Sequence, residues 1–462
     1  MKIEQIYTGC LAQGAYYIQS ENEAVVIDPL REVEPYLQMA KKYNATIRYV
    51  FETHFHADFV SGHIDLSARS GAPIVFGPNA SPNFPAIIAA DGDEFQVGRV
   101  LFKVIHTPGH TLESTCYLLH DENGKPVALF SGDTLFIGDT GRPDLAQQSG
   151  NLSMENLAGM LYDSLRNKIM CLPDDVIIYP AHGAGSACGR NMSRETSDTL
   201  GNQKKLNYAL RSGMSKTEFV REVTADLAAP PAYFPLNVML NKTGYESIGE
   251  VIRRGNRPLP PAEFVNVAQA TNALILDTRD ARQFAKGFIP GSINIGLDGS
   301  FAPWVGALLP GIDQKILVVA PEYREEETVS RLARVGYDQS LGYLAGGFAS
   351  WKTTGRDIDS ITSVRAAAFM DEVTRIKAGI IDVRRPAEYN AGHFCGSVNL
   401  PLDNINDHPG QIDKNRTYYV HCAGGYRSMV FISILRARGY YNLIDVAGGY
   451  KAIMAKRTEA QK

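Results

Sequence analysis

The sequence predicts an α/β multidomain protein, and three observations carry that prediction. At 462 residues the chain exceeds what one hydrophobic core organises, and roughly 150 residues per domain gives about three units. Short apolar runs of strand type alternate with turn and helix patterns along the chain. The C-terminal part also contains an internal repeat, which duplicates one α/β unit. Composition agrees: hydrophobic residues make up 44% and charged residues 21%, close to the globular average and unlike a disordered or membrane-embedded chain.

The 46 basic residues against 50 acidic ones leave a formal net charge of −4, which supplies no electrostatic footprint for nucleic acid or an anionic membrane. Small-molecule partners are expected, with no nucleic acid and no membrane. The stretch Met1 to Tyr7 has no basic segment followed by an apolar run, and no run of about 18 apolar residues follows later, a pattern read as cytoplasmic. Six cysteines, at 10, 116, 171, 188, 395 and 422, are too sparse for a disulfide framework, so any important one should act as a thiol.

Residues 1–250 form the first expected domain. Its strands are Ala24 to Pro29, Ile47 to Phe51, Val100 to Ile105, Val127 to Phe130 and Val176 to Tyr179, and each after the first ends at a polar motif, where α/β scaffolds build sites. The motifs are Thr53-His54-Phe55-His56-Ala57-Asp58, Thr107-Pro108-Gly109-His110, Ser131-Gly132-Asp133 and Tyr179-Pro180-Ala181-His182. Lone histidines such as His63, His106 and His120 read as surface or satisfied core residues. Taken together, the ordered motifs resemble the metallo-β-lactamase fold, an αββα sandwich with metal at one edge.

Position 59 narrows the resemblance. Dinuclear zinc hydrolases of that superfamily, including the thioesterase glyoxalase II, carry a histidine directly after the Asp of the first motif, and here the residue is Phe59. One metal is therefore expected. Two histidines and one aspartate around an ion with open positions suit non-haem Fe(II) and O₂ chemistry. The combination resembles the persulfide dioxygenases, which implies one Fe(2+) per chain held by His54, His110 and Asp133, with His56, Asp58 and His182 orienting those ligands from behind. Gly141-Arg142-Pro143-Asp144 is similar to a segment of the same family and makes Arg142 a candidate substrate contact. Cys188, six residues beyond His182, is a candidate for handling sulfur near the metal.

The repeat spans 262–358 and 363–458, after the proline-rich connector Gly255 to Pro261. Asp277-Thr278-Arg279 recurs as Asp382-Val383-Arg384, and Ala345-Gly346-Gly347-Phe348 recurs as Ala447-Gly448-Gly449-Tyr450. In the second copy, Cys422-Ala423-Gly424-Gly425-Tyr426-Arg427-Ser428 joins the strand Tyr418 to His421 to a helical pattern over Met429 to Arg438. Loop amides, a helix N-terminus and Arg427 all favour an anionic sulfur at Cys422. This Cys-x-x-x-x-Arg loop resembles that of rhodanese sulfurtransferases. The resemblance implies two α/β domains with parallel sheets, a sulfane sulfur carried on Cys422, Arg427 binding an anionic donor or acceptor, and Ala423, Gly424, Gly425 and Tyr426 as the cradle. The first copy lacks the nucleophile: counting back from Gly336 puts Val319 at the cysteine position, Tyr323-Arg324 matches Tyr426-Arg427, and Glu325-Glu326-Glu327 would repel an anion. It resembles inactive rhodaneses.

These readings imply an iron-dependent dioxygenase that oxidises a low-molecular-weight thiol persulfide to sulfite, joined to a sulfurtransferase that makes or uses thiosulfate, in sulfide detoxification. The expected partners are the persulfide, O₂, sulfite or thiosulfate, and a second copy of the chain in a homo-oligomer. The alternative is a mononuclear or dinuclear zinc thioester hydrolase fused to a sulfurtransferase.

Overall fold

The computed structural model describes residues 1–145, 152–227, 229–373, 375 and 378–460. The chain divides into two compact units, Met1–Ile248 with Ala333–Gly336, and the rest from Gly249 onward.

The first unit contains two six-stranded sheets. One runs in the order Lys2–Thr8, Gln13–Ser20, Glu23–Ile27, Thr46–Phe51, Ile74–Phe76, Ile87–Ile88, and the other Asp198–Thr199, Ile177–Pro180, Pro126–Gly132, Thr115–His120, Val100–His106, Glu94–Val97. Side chains alternate between faces along a strand, and both faces of the central strands are covered. Tyr16, Ile18, Val25 and Ile27 meet Phe102, Val104, Tyr117 and Phe130 between the sheets. The intervening Ala15, Tyr17, Ala24 and Val26 pack on Tyr36 and Ala40 of the outer helix Glu34–Lys42. On the far side Cys116, Leu118 and Leu129 receive Ala158 and Leu161 of the helix Met154–Ser164. Double-sided burial explains why these strands read as near-continuous apolar runs, and the result is the expected αββα sandwich.

The second unit holds two five-stranded sheets, all parallel. Pro258–Leu259, Ser340–Leu344, Ile316–Val319, Leu274–Asp277 and Ile293–Asn294 form one; Ser363–Arg365, Leu443–Ala447, Tyr418–His421, Gly379–Asp382 and Ser397–Asn399 form the other in the same topological order. Strand register aligns the copies residue by residue. Asp277 pairs with Val319 and Asp382 with His421, so Ala320, not Val319, stands where Cys422 stands. Counting back from the closing glycine is off by one because Ala320 lies 16 residues before Gly336, whereas Cys422 lies 17 before Gly439. The same register puts Tyr323 at the place of Gly425, and both have positive φ, 63° and 104°. Glu325 then falls at the place of Arg427. The second helix starts at Tyr426, earlier than its apolar pattern suggests, because Gly425 turns the chain there.

Among the described residues, no helix is long and apolar enough to cross a membrane.

Candidate functional site

In the first unit, the strand-end motifs converge at one sheet edge. His54, His110 and Asp133 are buried, and their ligand atoms lie within 4.8 Å of one another. Asp133 Oδ2 is 3.4 Å from His110 Nε2 and 3.8 Å from His54 Nε2. Hydrogen bonds set the tautomers. His110 Nδ1 sits 2.8 Å from the Arg142 carbonyl, which can only accept, so Nδ1 carries the proton and Nε2 offers its lone pair. Thr53 Oγ1 donates to Asp28 Oδ2 at 2.9 Å and therefore accepts from His54 Nδ1, also at 2.9 Å. Asp133 Oδ2 has no hydrogen-bond partner although it is buried, an expensive state for a carboxylate oxygen unless a cation meets it. Two imidazole lone pairs and this oxygen fit a divalent metal ion.

His182 stands behind the trio. Its Nδ1 lies 2.7 Å from Asp133 Oδ1 and its Nε2 2.9 Å from Asp58 Oδ2. Burial opposes charge on His182, but the two carboxylates raise its pKa well above the ordinary imidazole value. Burial would likewise raise Asp133, yet His182, through charge and hydrogen bond, with His54 and His110, holds it low. For His54, burial and then His56 keep the ring neutral. Cys188 does reach the site: it is buried, with its sulfur in one cluster with Asp58 and His182, and burial followed by Asp58 and Asp133 pushes its thiol pKa well up.

The Arg142 guanidinium forks onto Asp144 at 2.6 and 2.7 Å and donates to Ala187 O, while its carbonyl orients His110. Gly141 is needed beside it, since a Cβ there would lie 2.1 Å from Asp133 O. Several residues were not legible in the sequence. Asp28 ends the first strand, the one that seemed to carry no polar motif, and Glu52 joins it: His56 Nε2 lies 3.2 Å from Asp28 Oδ1 and 3.5 Å from Glu52 Oε2. Burial and the neighbouring Asp28 push the Glu52 carboxyl well above its usual range. Asn241, far along the chain, clasps the loop by donating to His56 O and Phe59 O and accepting from Ser61 N. Phe59 is fully buried, its ring 4.4 Å from that of His56.

In the second unit, Cys422 is buried at the end of Tyr418–His421. Gly425 N donates to Cys422 Sγ at 3.1 Å, and Ser428, 3.7 Å from that sulfur, donates to Asp445. Burial first raises the Asp445 pKa, against the hydrogen bonds from Ser363 and Ser428. Gly449 is indispensable at the closing turn: its φ is +58° and a Cβ would lie 2.3 Å from Cys422 O. Arg427 is held in a two-pronged ion pair with Glu388, 2.6 and 2.8 Å, beside the loop. The Tyr426 hydroxyl donates to Gly296 O of the first repeat at 2.8 Å, its ring covers Gly299, and it lines one cleft with Gly424 and Gly425. Ala423 O accepts from Lys451 N, and Gly424 and Gly425 border a cleft of about 1020 Å³ between the repeats. Asp382 and Arg384 bind one another and Gly392 O, a structural role repeated by Asp277, Arg279 and Gly287. In the first repeat, Ala320, Gln283 and Glu325 replace Cys422, Glu388 and Arg427, so the nucleophile and the arginine two positions into the helix are both gone.

Comparison with known proteins adds the lineage. The model of the metallo-beta-lactamase superfamily matches residues 8–182, and that of the rhodanese-like domain matches 260–354 and 365–456. A solved metallo-beta-lactamase from Staphylococcus aureus subsp. aureus COL is 33% identical, with a TM-score of 0.65, over 74% of this chain and 98% of that one. The chain belongs to the metallo-β-lactamase superfamily. Two rhodanese-like domains follow in the same chain. Among curated relatives, hydroxyacylglutathione hydrolase of Tolumonas auensis is 32% identical over 171 residues, and persulfide dioxygenase ETHE1, mitochondrial, of Homo sapiens is 34% identical over 166 residues. Each match takes 36% of this chain and 60% of the relative, so the chain spans about three fifths of their length. Both domain types belong to enzyme families, and the family together with the His54, His110 and Asp133 cluster supports a bound metal.

Proposed function

We propose that the first unit is an Fe(2+)-dependent persulfide dioxygenase and that the last domain is a sulfurtransferase working through Cys422. The observation that carries this reading is the pairing of a three-ligand cluster with a second site in which a phenylalanine takes the place of a histidine. His182 is engaged by Asp133 and Asp58, and buried Phe59 stands where a dinuclear zinc hydrolase has a histidine. The human persulfide dioxygenase among the relatives and the attached rhodanese-like domains favour sulfur chemistry.

His54, His110 and Asp133 would hold the iron, which would supply O₂ activation for oxidation of the persulfide. The net reaction is R–S–SH + O₂ + H₂O → R–SH + SO₃²⁻ + 2 H⁺; the terminal sulfur gives up four electrons and O₂ takes them. Thr53 and the Arg142 carbonyl keep both imidazoles in the ligating tautomer, and His182 orients Asp133. At the other end, Cys422–S–S⁻ + SO₃²⁻ → Cys422–S⁻ + S₂O₃²⁻ breaks the S–S bond of the carrier and forms that of thiosulfate, with the Gly425 N–H steadying the anionic sulfur. The direction of net flow follows supply.

O₂ uptake measured against a panel of thiol persulfides, with metal analysis of the same sample, tests the proposal. One iron per chain with persulfide-dependent uptake is expected; zinc with thioester cleavage and no O₂ uptake overturns it. The hydroxyacylglutathione hydrolase relatives favour that thioester hydrolase as the second reading.

A further inference from the structure

His56 occupies the middle of the metal motif, two residues beyond His54, yet it offers no nitrogen to the cluster of His54, His110 and Asp133. It groups instead with Asp28 and Glu52, whose ligand atoms lie within 4.8 Å of its own. All three side chains are buried, as is His63, whose Nδ1 is 3.4 Å from Glu52 Oε1. Glu52 is itself fixed on that side by a hydrogen bond from Ser61 Oγ. Asp28 is fixed by the Thr53 amide and hydroxyl at 2.8 and 2.9 Å. The Phe59 ring lies 4.4 Å from that of His56, and Asn241 clasps the loop backbone at His56 O and Phe59 O.

We infer that Glu52 is a positioning residue that, with Asp28, holds His56 out of the metal's ligand set and so fixes that set at His54, His110 and Asp133. An imidazole in a three-residue motif has reach enough to join the ion beside its neighbour, and the His54 and His56 ring centroids are only 4.2 Å apart. What retains it is the pair of buried carboxylates on that side, with Asp28 Oδ1 and Glu52 Oε2 3.2 and 3.5 Å from its Nε2. A fourth protein ligand would fill a position that a three-ligand site leaves for exogenous molecules, and it would shift preference toward zinc. Glu52 therefore selects the coordination number, and through it the kind of chemistry, without touching metal or substrate.

This inference rests on the single-metal reading above, and two measurements separate them: more than one ion per chain overturns that reading, whereas the number of histidine ligands on the His54, His110 and Asp133 ion tests the inference. The test is X-ray absorption of the metal-loaded full chain, counting histidine ligands, together with zinc affinity of the metal-free chain. Wild type and Glu52→Gln, which keeps an acceptor oxygen, are expected to show two histidines. Glu52→Ala is expected to show three and to bind zinc more tightly by on the order of tenfold, and adding His56→Ala should return both readings to wild type. Circular dichroism reports whether each variant is folded; should Glu52→Ala unfold, Glu52→Leu of similar bulk replaces it. Two histidines in the folded Ala or Leu variant, or loss of a histidine ligand on His56→Ala alone, overturns the inference.

Discussion

Thr53 Oγ1 lies 2.9 Å from His54 Nδ1, and because the same hydroxyl donates to Asp28 it can only accept from that ring. A single hydroxyl thus decides which nitrogen of His54 faces the metal position. Thr53→Val keeps the shape and removes this acceptor. Metal affinity is expected to fall about 10- to 100-fold, while Thr53→Ser stays near wild type; a metal titration of the two purified variants checks it, and equal affinities would refute the relay.

Gly449 provides a local probe of the sulfur loop. Gly449→Ala places a Cβ against Cys422 O at a φ of +58°, a strain of about 1–3 kcal/mol in the second unit. Sulfur transfer to cyanide should fall at least tenfold, on the order of 1.4 kcal/mol in the barrier, with O₂ uptake by the first unit unchanged. Gly396→Ala meets open space at a comparable φ of +83° and should cost stability without selective loss of transfer.

The first repeat should resist repair by one substitution. In a Cys422→Ser background, Ala320→Cys restores a thiol at the right place but leaves Glu325 and Gln283 where Arg427 and Glu388 belong. No sulfur transfer is expected from it. Adding Glu325→Arg and Gln283→Glu should bring back a measurable rate; activity from Ala320→Cys alone would show that the acidic helix start is irrelevant.

The Arg427 ion pair makes the second unit acid-sensitive. Arg427, chiefly through its hydrogen bond, holds the Glu388 carboxyl below the ordinary value of 4.5. A depressed carboxylate contributes stability that is present above its unfolded pKa and lost as pH falls through the folded one. Glu388→Gln should therefore melt lower than wild type near neutral pH and converge with it in acid. Parallel melting curves across the whole range would count against the pair.

Cys188 is tested by its neighbourhood. Its sulfur clusters with Asp58 and His182, and burial raises its thiol pKa, so it sits there as a neutral thiol. Cys188→Ser should lower persulfide-dependent O₂ uptake several-fold with metal content unchanged. Unaltered uptake would reduce Cys188 to packing.

The sequence by itself determined the architecture and the chemical inventory. Apolar strands ending in His and Asp motifs, a duplicated unit and a Cys-x-x-x-x-Arg loop are local patterns, readable because a ligand two residues past a strand end has few places to go. Phe59 was equally legible, being a departure within one motif. Only the tertiary structure decided how those residues are used. Asp28 and Glu52 hold His56 because parallel pairing sets Ile27 beside Phe51, which brings the ends of distant strands together. Ala320 takes the cysteine position because strand register, not residue counting, aligns the repeats. Tyr426 reaches Gly296 O of the other repeat, a partner that its own motif does not name because folding alone brings it within reach.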